Sequence, residues 1–581
     1  MTNQEIAQVL ANIGEYLEMA NEPFKPKAYA RVSAAIASMS EAVSDLYTKK
    51  GLKGLREIPG VGASIAEHIE ELIKTGHLAY YEILKKKTPV DLETLTRVEG
   101  LGPKKIKVLY EKLRVKTLED LERVAKTGKI SKLEGFGAKS EENILKGIVF
   151  VKSSGSRRLL GEALLEAREL EEYLRKEKSI ISLDIVGSMR RRRETIGDID
   201  ILVVSKKPAQ IMEAFVNAPG VARVYAKGPT KSMVRLKSGI DADLRVVDKE
   251  SYGAALNYFT GSKDHNIALR KLAIEKGWKL NEYGLVKVVG KKEMRIAGES
   301  EEGLYKKLGL DFIPPELREA TGEIEAAKTK KLPKLIGYDD LKGDLQVQSN
   351  WTDGSSSIEE MAKAAMARGL TYIAITDHTK RLAMTGGLDD RRVRKQIQEI
   401  DALNKKFKAQ GKNFRVLKGT ECDILKDGTL DLSDGVLEEL DVVGISVHSL
   451  FNLPREEQTK RIVRAMENPH ADILFHPSGR LINKREPYAV DMEKIIQTAK
   501  KTGTVLEIDA LPDRLDLKDE YIRMCVTEGI KLTIDSDAHA PSHYSVLEFG
   551  IAQARRGWAT KKDVINTYGV EEMLHMLKGR R

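Results

Sequence analysis

The sequence predicts a multidomain protein of α+β and α/β class, helical at the start, mixed in the middle and βα-alternating towards the end. Three observations predict it. A glycine-punctuated helical unit recurs before residue 150. A Gly-Ser turn, an arginine run and two closely spaced aspartates lead into an apolar strand near residue 200. From about residue 340, apolar runs of strand length alternate with helical stretches.

Residues 1 to about 50 read as helices, with Ile6, Val9, Leu10, Ile13 and Leu17 on one buried face. Then comes Ile58-Pro59-Gly60-Val61-Gly62. Related elements follow at Val98-Glu99-Gly100-Leu101-Gly102 and Leu133-Glu134-Gly135-Phe136-Gly137. Each is apolar-x-Gly-apolar-Gly before a helix. The glycines permit a tight turn with positive φ, and the turn leaves backbone N–H groups at a helix N-terminus, where phosphate binds. This matches the helix-hairpin-helix motif, which grips nucleic-acid backbone without reading sequence. One Gly-x-Gly is commonly only a helix entry; three copies argue for nucleic acid.

Residues 150 to 175 read as a helix with Leu159, Leu160, Leu164 and Leu165 on its apolar side, and Ile180 to Val186 as a strand. The strand delivers Gly187-Ser188-Met189 and four arginines, Arg190 to Arg193, suited to holding a polyphosphate. Asp198 and Asp200 then share one face of the strand that continues through Ile201 to Val204. Two carboxylates side by side repel unless a cation lies between them. Mg²⁺ commonly bridges such acids to substrate phosphates. The constellation suits two-metal phosphoryl or nucleotidyl transfer. The strand Ile240 to Val247 offers a third acid, and alternation leaves Asp241 and Asp243 equally placed. Tyr258-Phe259-Thr260-Gly261-Ser262 reads as aromatics at a turn, a substrate wall before the helix of Asn266 to Lys276. Residues 319 to 335, rich in Lys, Glu and Ala with Pro333, read as a linker.

The last segment repeats one arrangement. Strands such as Tyr372 to Ile375, Val442 to Ile445 and Val505 to Ile508 imply a parallel sheet or barrel. Asp377-His378, Glu421, His448, His476, Asp537 and His539 stand just past strand ends, where sites form in such folds. Their recurrence argues for bound metal.

Composition sets bounds. At 581 residues the chain is too long for one core. The balance of 97 basic to 87 acidic residues, net +10, permits a nucleic-acid partner without requiring one. Cys422 and Cys525 cannot build a disulfide framework, so a reducing compartment is expected. No apolar run reaches the length of a membrane span, and the start reads as an amphipathic helix rather than a signal peptide. The expectation is a cytoplasmic, nucleoid-associated monomer with no membrane partner.

Residues 1 to about 318 resemble family X DNA polymerases, of which DNA polymerase beta is the best known. The resemblance is carried by the Gly-Ser-x-Arg-Arg run, Asp198-x-Asp200, Asp243-x-Arg245 and Tyr258 to Ser262. Residues 340 to about 575 resemble the PHP metal-dependent domain, and the tandem is similar to bacterial and archaeal members of the polymerase family. The resemblance implies helix-hairpin-helix domains over 1–85 and 86–150, a nucleotidyltransferase palm with a mixed sheet over 151–250 and a thumb-like domain over 251–318. A linker over 319–339 would then lead to a PHP distorted β/α barrel over 340–581.

It also implies roles. Asp198 and Asp200 would hold two Mg²⁺ ions, with Asp243, rather than Asp241, completing the site that activates the primer 3′-oxygen. Gly187, Ser188 and Arg191 would grip the triphosphate above Gly197. Tyr258, with Phe259 and Gly261, would crowd the sugar 2′ position and disfavour ribonucleotides. Asn266 and Arg270 would face the nucleotide and template. Gly60, Gly62, Gly100, Gly102, Gly135, Gly137 and Arg245 would contact DNA. Asp353, His378, Glu421, His448, His476, Asp537 and His539 would hold two or three Mn²⁺ or Zn²⁺ ions. The partners would be gapped or primer-template DNA and deoxynucleoside triphosphates.

Two departures qualify this. The beta-type enzyme carries a Schiff-base lysine on its first hairpin helix; His68 stands there, and imidazole forms no comparable imine. The PHP opening motif carries His-x-His; here Gln346 and Gln348 replace both imidazoles, and amide oxygens suit Mn²⁺ or Mg²⁺ better than Zn²⁺. The reading is a gap-filling repair polymerase whose PHP domain is a Mn²⁺-dependent 3′-5′ exonuclease. The alternative keeps the polymerase and makes the PHP domain a metal-stabilised scaffold.

Overall fold

A computed structural model describes residues 3–578 apart from 38, 40–42, 97, 99, 154–156 and 290–291. Glu99 of the second hairpin lies outside the described residues. The chain forms two compact units. One holds residues 1–155 with the short segments 481–487 and 540–543; the other holds the remainder.

The first unit is helical and has two cores. Helices Asn3–Met19, Lys25–Ala37, Val43–Arg56 and Ala63–Thr75 enclose Ile6, Leu10, Ile13, Val32, Ile36 and Ile69. Helices Pro103–Leu113, Leu118–Ala125 and Ala138–Ser153 enclose Leu101, Ile106, Leu109, Leu121, Ile144 and Ile148. All three glycine hairpins adopt the same turn. Gly60, Gly100 and Gly135 have φ of 84°, 79° and 80°. The next residue closes each turn: Val61 N–H bonds Ile58 O, Leu101 N–H bonds Val98 O and Phe136 N–H bonds Leu133 O. Gly62 and Gly102 then cap helices without any side-chain bond to the first N–H groups. His68 lies stacked on Tyr80, ring centroids 4.9 Å apart, with its Nδ1 2.8 Å from the Tyr29 hydroxyl.

The helix expected over 150–175 is interrupted. A two-residue strand, Arg158–Leu159, pairs with Thr195–Ile196 before helix Leu160–Leu174 begins. Leu160 and Leu164 are buried while Leu165 is 43% exposed, because neighbours on a helix point about 100° apart.

The central sheet is five-stranded, in the order Ile180–Ile185, Asp198–Ser205, Asp241–Val247, Lys231–Leu236, Val221–Lys227. It is mixed: Asp198–Ser205 runs parallel to Asp241–Val247, and the other neighbours are antiparallel. Ile201 to Val204 are all buried, as a strand covered on both faces requires. Helices Tyr252–Thr260 and Lys263–Glu275 follow, then a three-stranded antiparallel sheet, Trp278–Asn281, Gly284–Val289 and Lys292–Ala297, which the sequence reading did not include.

The stretch expected as a linker, 319–339, is largely built into the fold. Helix Glu323–Lys328 lies within it. Glu323 is fully buried, accepting from the N–H groups of Ala320 and Thr321 and lying 2.6 Å from His265 Nδ1. Ala327 and Leu317 share one core with Leu304 and Leu308. A polar composition hid this, since the buried carboxylate gets its partners from backbone and from a histidine 58 residues away.

The last domain is a nearly closed barrel of seven strands in chain order, all parallel: Gly343–Val347, Tyr372–Ile375, Arg415–Asp423, Val442–Ser446, Ile473–Leu474, Val505–Asp509 and Leu532–Asp535. The bridge of Val347 to Ala538 and the Leu345 N–H bond to Asp535 Oδ1, 2.7 Å, tie the first strand to the last. Inward side chains such as Leu345, Leu417 and Phe475 pack with Met573 and Leu577 of the C-terminal helix Val570–Lys578.

Candidate active sites

The central sheet positions the first site. Parallel pairing sets Asp198 opposite Asp241 and Asp200 opposite Asp243. Burial, then the charges of Asp198 and Asp243, push the Asp200 carboxyl up to about 7. Asp198 is raised by burial and by Asp243 as well. Asp241 is different: Arg235 holds it through two bonds of 2.7 and 2.8 Å and keeps its carboxyl low. The Arg235 contact, not the register, sets Asp241 apart from Asp243. Asp243 has one cation close by, Lys231, at 3.2 Å.

Gly187, with φ of 65°, turns the chain tightly over Asp200, and a Cβ there would overlap the Asp200 carboxylate. Beyond this turn opens a cavity of about 610 Å³. It is lined by Gly187, Ser188, Arg191, Asp198, Asp200 and Tyr258, and further by Phe259, Gly261, Asn266 and Arg270. Ten of the residues expected around a nucleotide therefore converge on one cavity. Gly197, Asp243 and Arg245 do not line it. Gly197 packs under Arg157, where a Cβ would come within 2.9 Å of the guanidinium. Arg245 stacks over the Phe259 ring at 4.7 Å.

The four arginines divide their work. Arg190 is structural: it bonds Glu301 at 2.7 Å and Thr260 Oγ1 at 2.7 Å. Arg192 lies 5.8 Å from the Tyr338 ring centroid. Only Arg191 and Arg193 reach the cavity. Arg191 donates to Thr260 O and lies 3.1 Å from Glu319. Tyr258 and Phe259 stand on the last turn of helix Tyr252–Thr260, not on a turn as expected, because the helix runs on to Gly261. The Asn266 amide donates to Tyr258 O at 2.7 Å and fixes that carbonyl. Arg157, Lys263 and Glu319 also line the cavity and were missed in the sequence, whereas Arg193 belongs to the expected arginine run. The only signal was the basic pair Arg157-Arg158, which resembles any exposed charge.

The second site sits at the strand ends of the barrel. Glu421 is its hub. His448 Nε2 lies 3.0 Å and His476 Nε2 2.8 Å from Glu421 Oε1, and His378 Nδ1 lies 3.3 Å from Oε2. Burial opposes the charge of Glu421, yet the imidazoles of His378 and His448 hold its carboxyl well below the ordinary range. Burial likewise opposes charge on His448, yet Glu421 and Asp423 push it up to about 9. Asp353 bridges His378 and His539, 3.6 Å from each. Two groups of ligand atoms result, each within 4.8 Å: Asp353, His378, His539, and His378, Glu421, His448. His476 joins the second through Glu421.

Asp537 completes neither group, although its Oδ1 lies 3.8 Å from His539 Nδ1. Its carboxylate lies 3.8 Å from Arg514, whose Nε is also 3.2 Å from Asp509. Gln346 is fully buried with neither amide atom hydrogen-bonded. Gln348 Nε2 donates to Glu421 Oε2 at 2.9 Å, and its oxygen has no partner. Two further carboxylates brace the ligands, as His448 N–H bonds Asp423 and His476 N–H bonds Glu507, while Asp377, next to His378, accepts from Ser349, Thr352 and Gln396. Such second-layer acids orient ligands, and only Asp377 was visible beforehand, as the neighbour of His378.

The donor sets fit metal. The first is all carboxylate oxygen, crowded enough to lift a carboxyl to about 7, as suits Mg²⁺ or Mn²⁺. The second mixes imidazole and carboxylate at two positions, as suits Zn²⁺ or Mn²⁺. Gln346 and Gln348 offer no imidazole, and Asp537 has the Arg514 guanidinium 3.8 Å from its carboxylate.

Comparisons with known proteins agree with this geometry. The DNA polymerase beta thumb family matches residues 255–319 and the PHP domain family residues 344–509. A helix-hairpin-helix domain family matches residues 1–78 and a SAM-like helix-hairpin-helix tandem residues 92–148. The barrel is similar to a probable phosphatase of Thermoanaerobacter sp. (strain X514), 29% identical over 36% of this chain and 84% of that protein. It is also similar to one of Caldanaerobacter subterraneus subsp. tengcongensis, 32% identical over 26% of this chain and 56% of that protein. The DNA polymerase/3′-5′ exonuclease PolX of Bacillus subtilis (strain 168) is 39% identical over the full length of both chains. That identity, spanning hairpins, palm, thumb and barrel alike, shows that the chain belongs to the PolX family of DNA polymerases, family X enzymes with a C-terminal PHP domain.

Proposed function

We propose that the chain is a template-directed DNA polymerase that fills short gaps during repair, and that its PHP domain trims 3′ ends as an exonuclease. The observation that carries the polymerase reading is the register of Asp200 against Asp243 beneath a cavity lined by Ser188 and Arg191. Asp198, Asp200 and Asp243 would hold two divalent ions, Mg²⁺ in the first instance, which neutralise charge on the attacking and leaving oxygens of an in-line displacement. The chain's own groups do the rest. Ser188 and Arg191 orient the polyphosphate. Tyr258, held by the bond from Asn266 to its carbonyl, faces the sugar. Arg270 stands beside Asn266, donating to its backbone oxygen at 3.3 Å.

The hairpins grip the DNA backbone through free N–H groups at Gly62, Gly102 and Gly137, without regard to sequence. Among the described residues no helix is long and apolar enough to cross a membrane. The protein works as a monomer on nucleoid DNA in the cytoplasm. His68, stacked and bonded to tyrosines, supplies no amine for an abasic-site imine.

In the barrel, two ions, Mn²⁺ by preference, would be held by Asp353, His378, Glu421, His448, His476 and His539. The second reading is a metal-stabilised scaffold, and Gln346 with Gln348 is the observation that favours it. Primer extension on gapped DNA with Mg²⁺ or Mn²⁺, scoring growth and shortening of the primer together, tests all of this. Growth without shortening in either metal supports the scaffold; neither growth nor shortening overturns both readings.

A further inference from the structure

Glu319 is an anomaly in the polymerase cavity. A pocket read as a polyphosphate site should present cations, yet this carboxylate lines it beside Arg191. Glu319 Oε1 lies 3.1 Å from Arg191 Nε. The same oxygen lies 3.1 Å from Arg556 Nη1, which belongs to helix Leu547–Arg556 of the barrel domain. Arg193 stands further off, at 3.9 Å. Arg556 is firmly placed: it bonds Arg191 O at 3.0 Å and Asp519 at 2.5 Å, and is 7% exposed. Glu319 therefore has three cations within 4 Å: Arg556, which does not line the cavity, and Arg191 and Arg193, which do.

A carboxylate and a phosphate oxygen compete for the same guanidinium donors, with the same charge sign and similar geometry. We propose that Glu319 is a built-in competitor of the incoming triphosphate: it occupies Arg191 in the empty site and transfers to Arg556 alone when the polyphosphate arrives. The inference rests on Arg191 as a polyphosphate contact. It gives the barrel a role in polymerisation that needs no cleavage chemistry. Arg556, itself held by Asp519, draws Glu319 off Arg191 when the polyphosphate binds, so a residue of the barrel helps set how much of the polymerase site is open to nucleotide. Because the charge is handed from one guanidinium to another, nothing is left buried and unpaired, the event that would make the transfer costly.

The probe is inorganic tripolyphosphate, titrated by calorimetry into the full-length protein with Ca²⁺ present, and no turnover is needed. Each variant is melted first, to confirm wild-type folding. Glu319→Gln keeps the size and removes the competing charge. Apparent affinity rises as the competent fraction rises, so Kd should fall about three- to tenfold. Arg556→Gln leaves Glu319 only the cavity's own cations, Arg191 and Arg193, and Kd should rise. The double variant should bind as tightly as Glu319→Gln alone, since the competitor that Arg556 restrains is gone. A double variant as weak as Arg556→Gln, or a Glu319→Gln protein no tighter than wild type, overturns the inference while leaving Arg191 in its role. Arg191→Gln binding like wild type overturns that role itself, and the competitor with it.

Discussion

The side-chain amide of Gln348 donates a 2.9 Å hydrogen bond to Glu421, the carboxylate on which three imidazoles of the barrel converge. An amide that donates its N–H to the hub presents no lone pair there. A His at this position would offer one. Gln346→His with Gln348→His should therefore raise bound Mn²⁺ in elemental analysis by about one ion per chain, taking the barrel from two towards three. Exonuclease rate should rise with it. Arg514 limits the gain, as its guanidinium already stands 3.8 Å from Asp537. Adding Arg514→Gln should complete the third site. Metal content unchanged by all three substitutions would show that this position holds no ion.

Asp200→Ala should reduce primer extension by at least about 10³-fold, since it removes a carboxylate that would help hold the metal ions. DNA binding should stay near wild type, because the hairpins lie elsewhere. Extension at the wild-type rate in single-turnover assays would remove Asp200 from the chemistry.

Tyr258 and Asn266 separate two ways of excluding a ribose. If the ring does it, Tyr258→Ala should raise ribonucleotide incorporation about tenfold relative to deoxyribonucleotide. If the carbonyl does it, Asn266→Ala should have the larger effect, because it releases the Tyr258 oxygen from its 2.7 Å bond. Paired kcat/KM ratios for matched nucleotides decide between them.

Gly100 has a φ of 79°, and a Cβ added there meets nothing within 4 Å. Gly100→Ala therefore costs conformational strain alone, about 1 kcal/mol. The fold should survive while affinity for gapped DNA falls. Because phosphate contacts release counterions, the slope of log affinity against log salt should also flatten. An unchanged slope would make this hairpin structural only.

Burial, then the charges of Glu18 and Glu93, push the Glu15 carboxyl up to about 7 from an ordinary 4.5. A folded-state pKa above the unfolded one means that stability is fully present below about 4.5 and is lost as pH rises through about 7. Glu15→Gln should raise the melting temperature at pH 8 and leave it unchanged at pH 4. Equal shifts at both pH values would trace the effect to packing.

The sequence by itself determined what short-range periodicity governs. Alternation put Asp198 and Asp200 on one face, and three like-spaced glycine pairs became three identical turns. The βα rhythm after residue 340 became a parallel barrel with its histidines at strand ends. Tertiary structure alone decided what depends on partners distant in the chain. Arg235, on the neighbouring strand, set Asp241 apart from Asp243, since a period of two fixes a face but not a neighbour. Arg190 and Arg191 are adjacent in sequence, yet Glu301 takes one into the core and the cavity takes the other. The buried Glu323 turned an apparent linker into part of a packed core with His265. Glu319, Arg191 and Arg556 meet across up to 365 residues of chain. A charged side chain looks the same in sequence whether it is solvated or paired; only packing removes the water and names the partner.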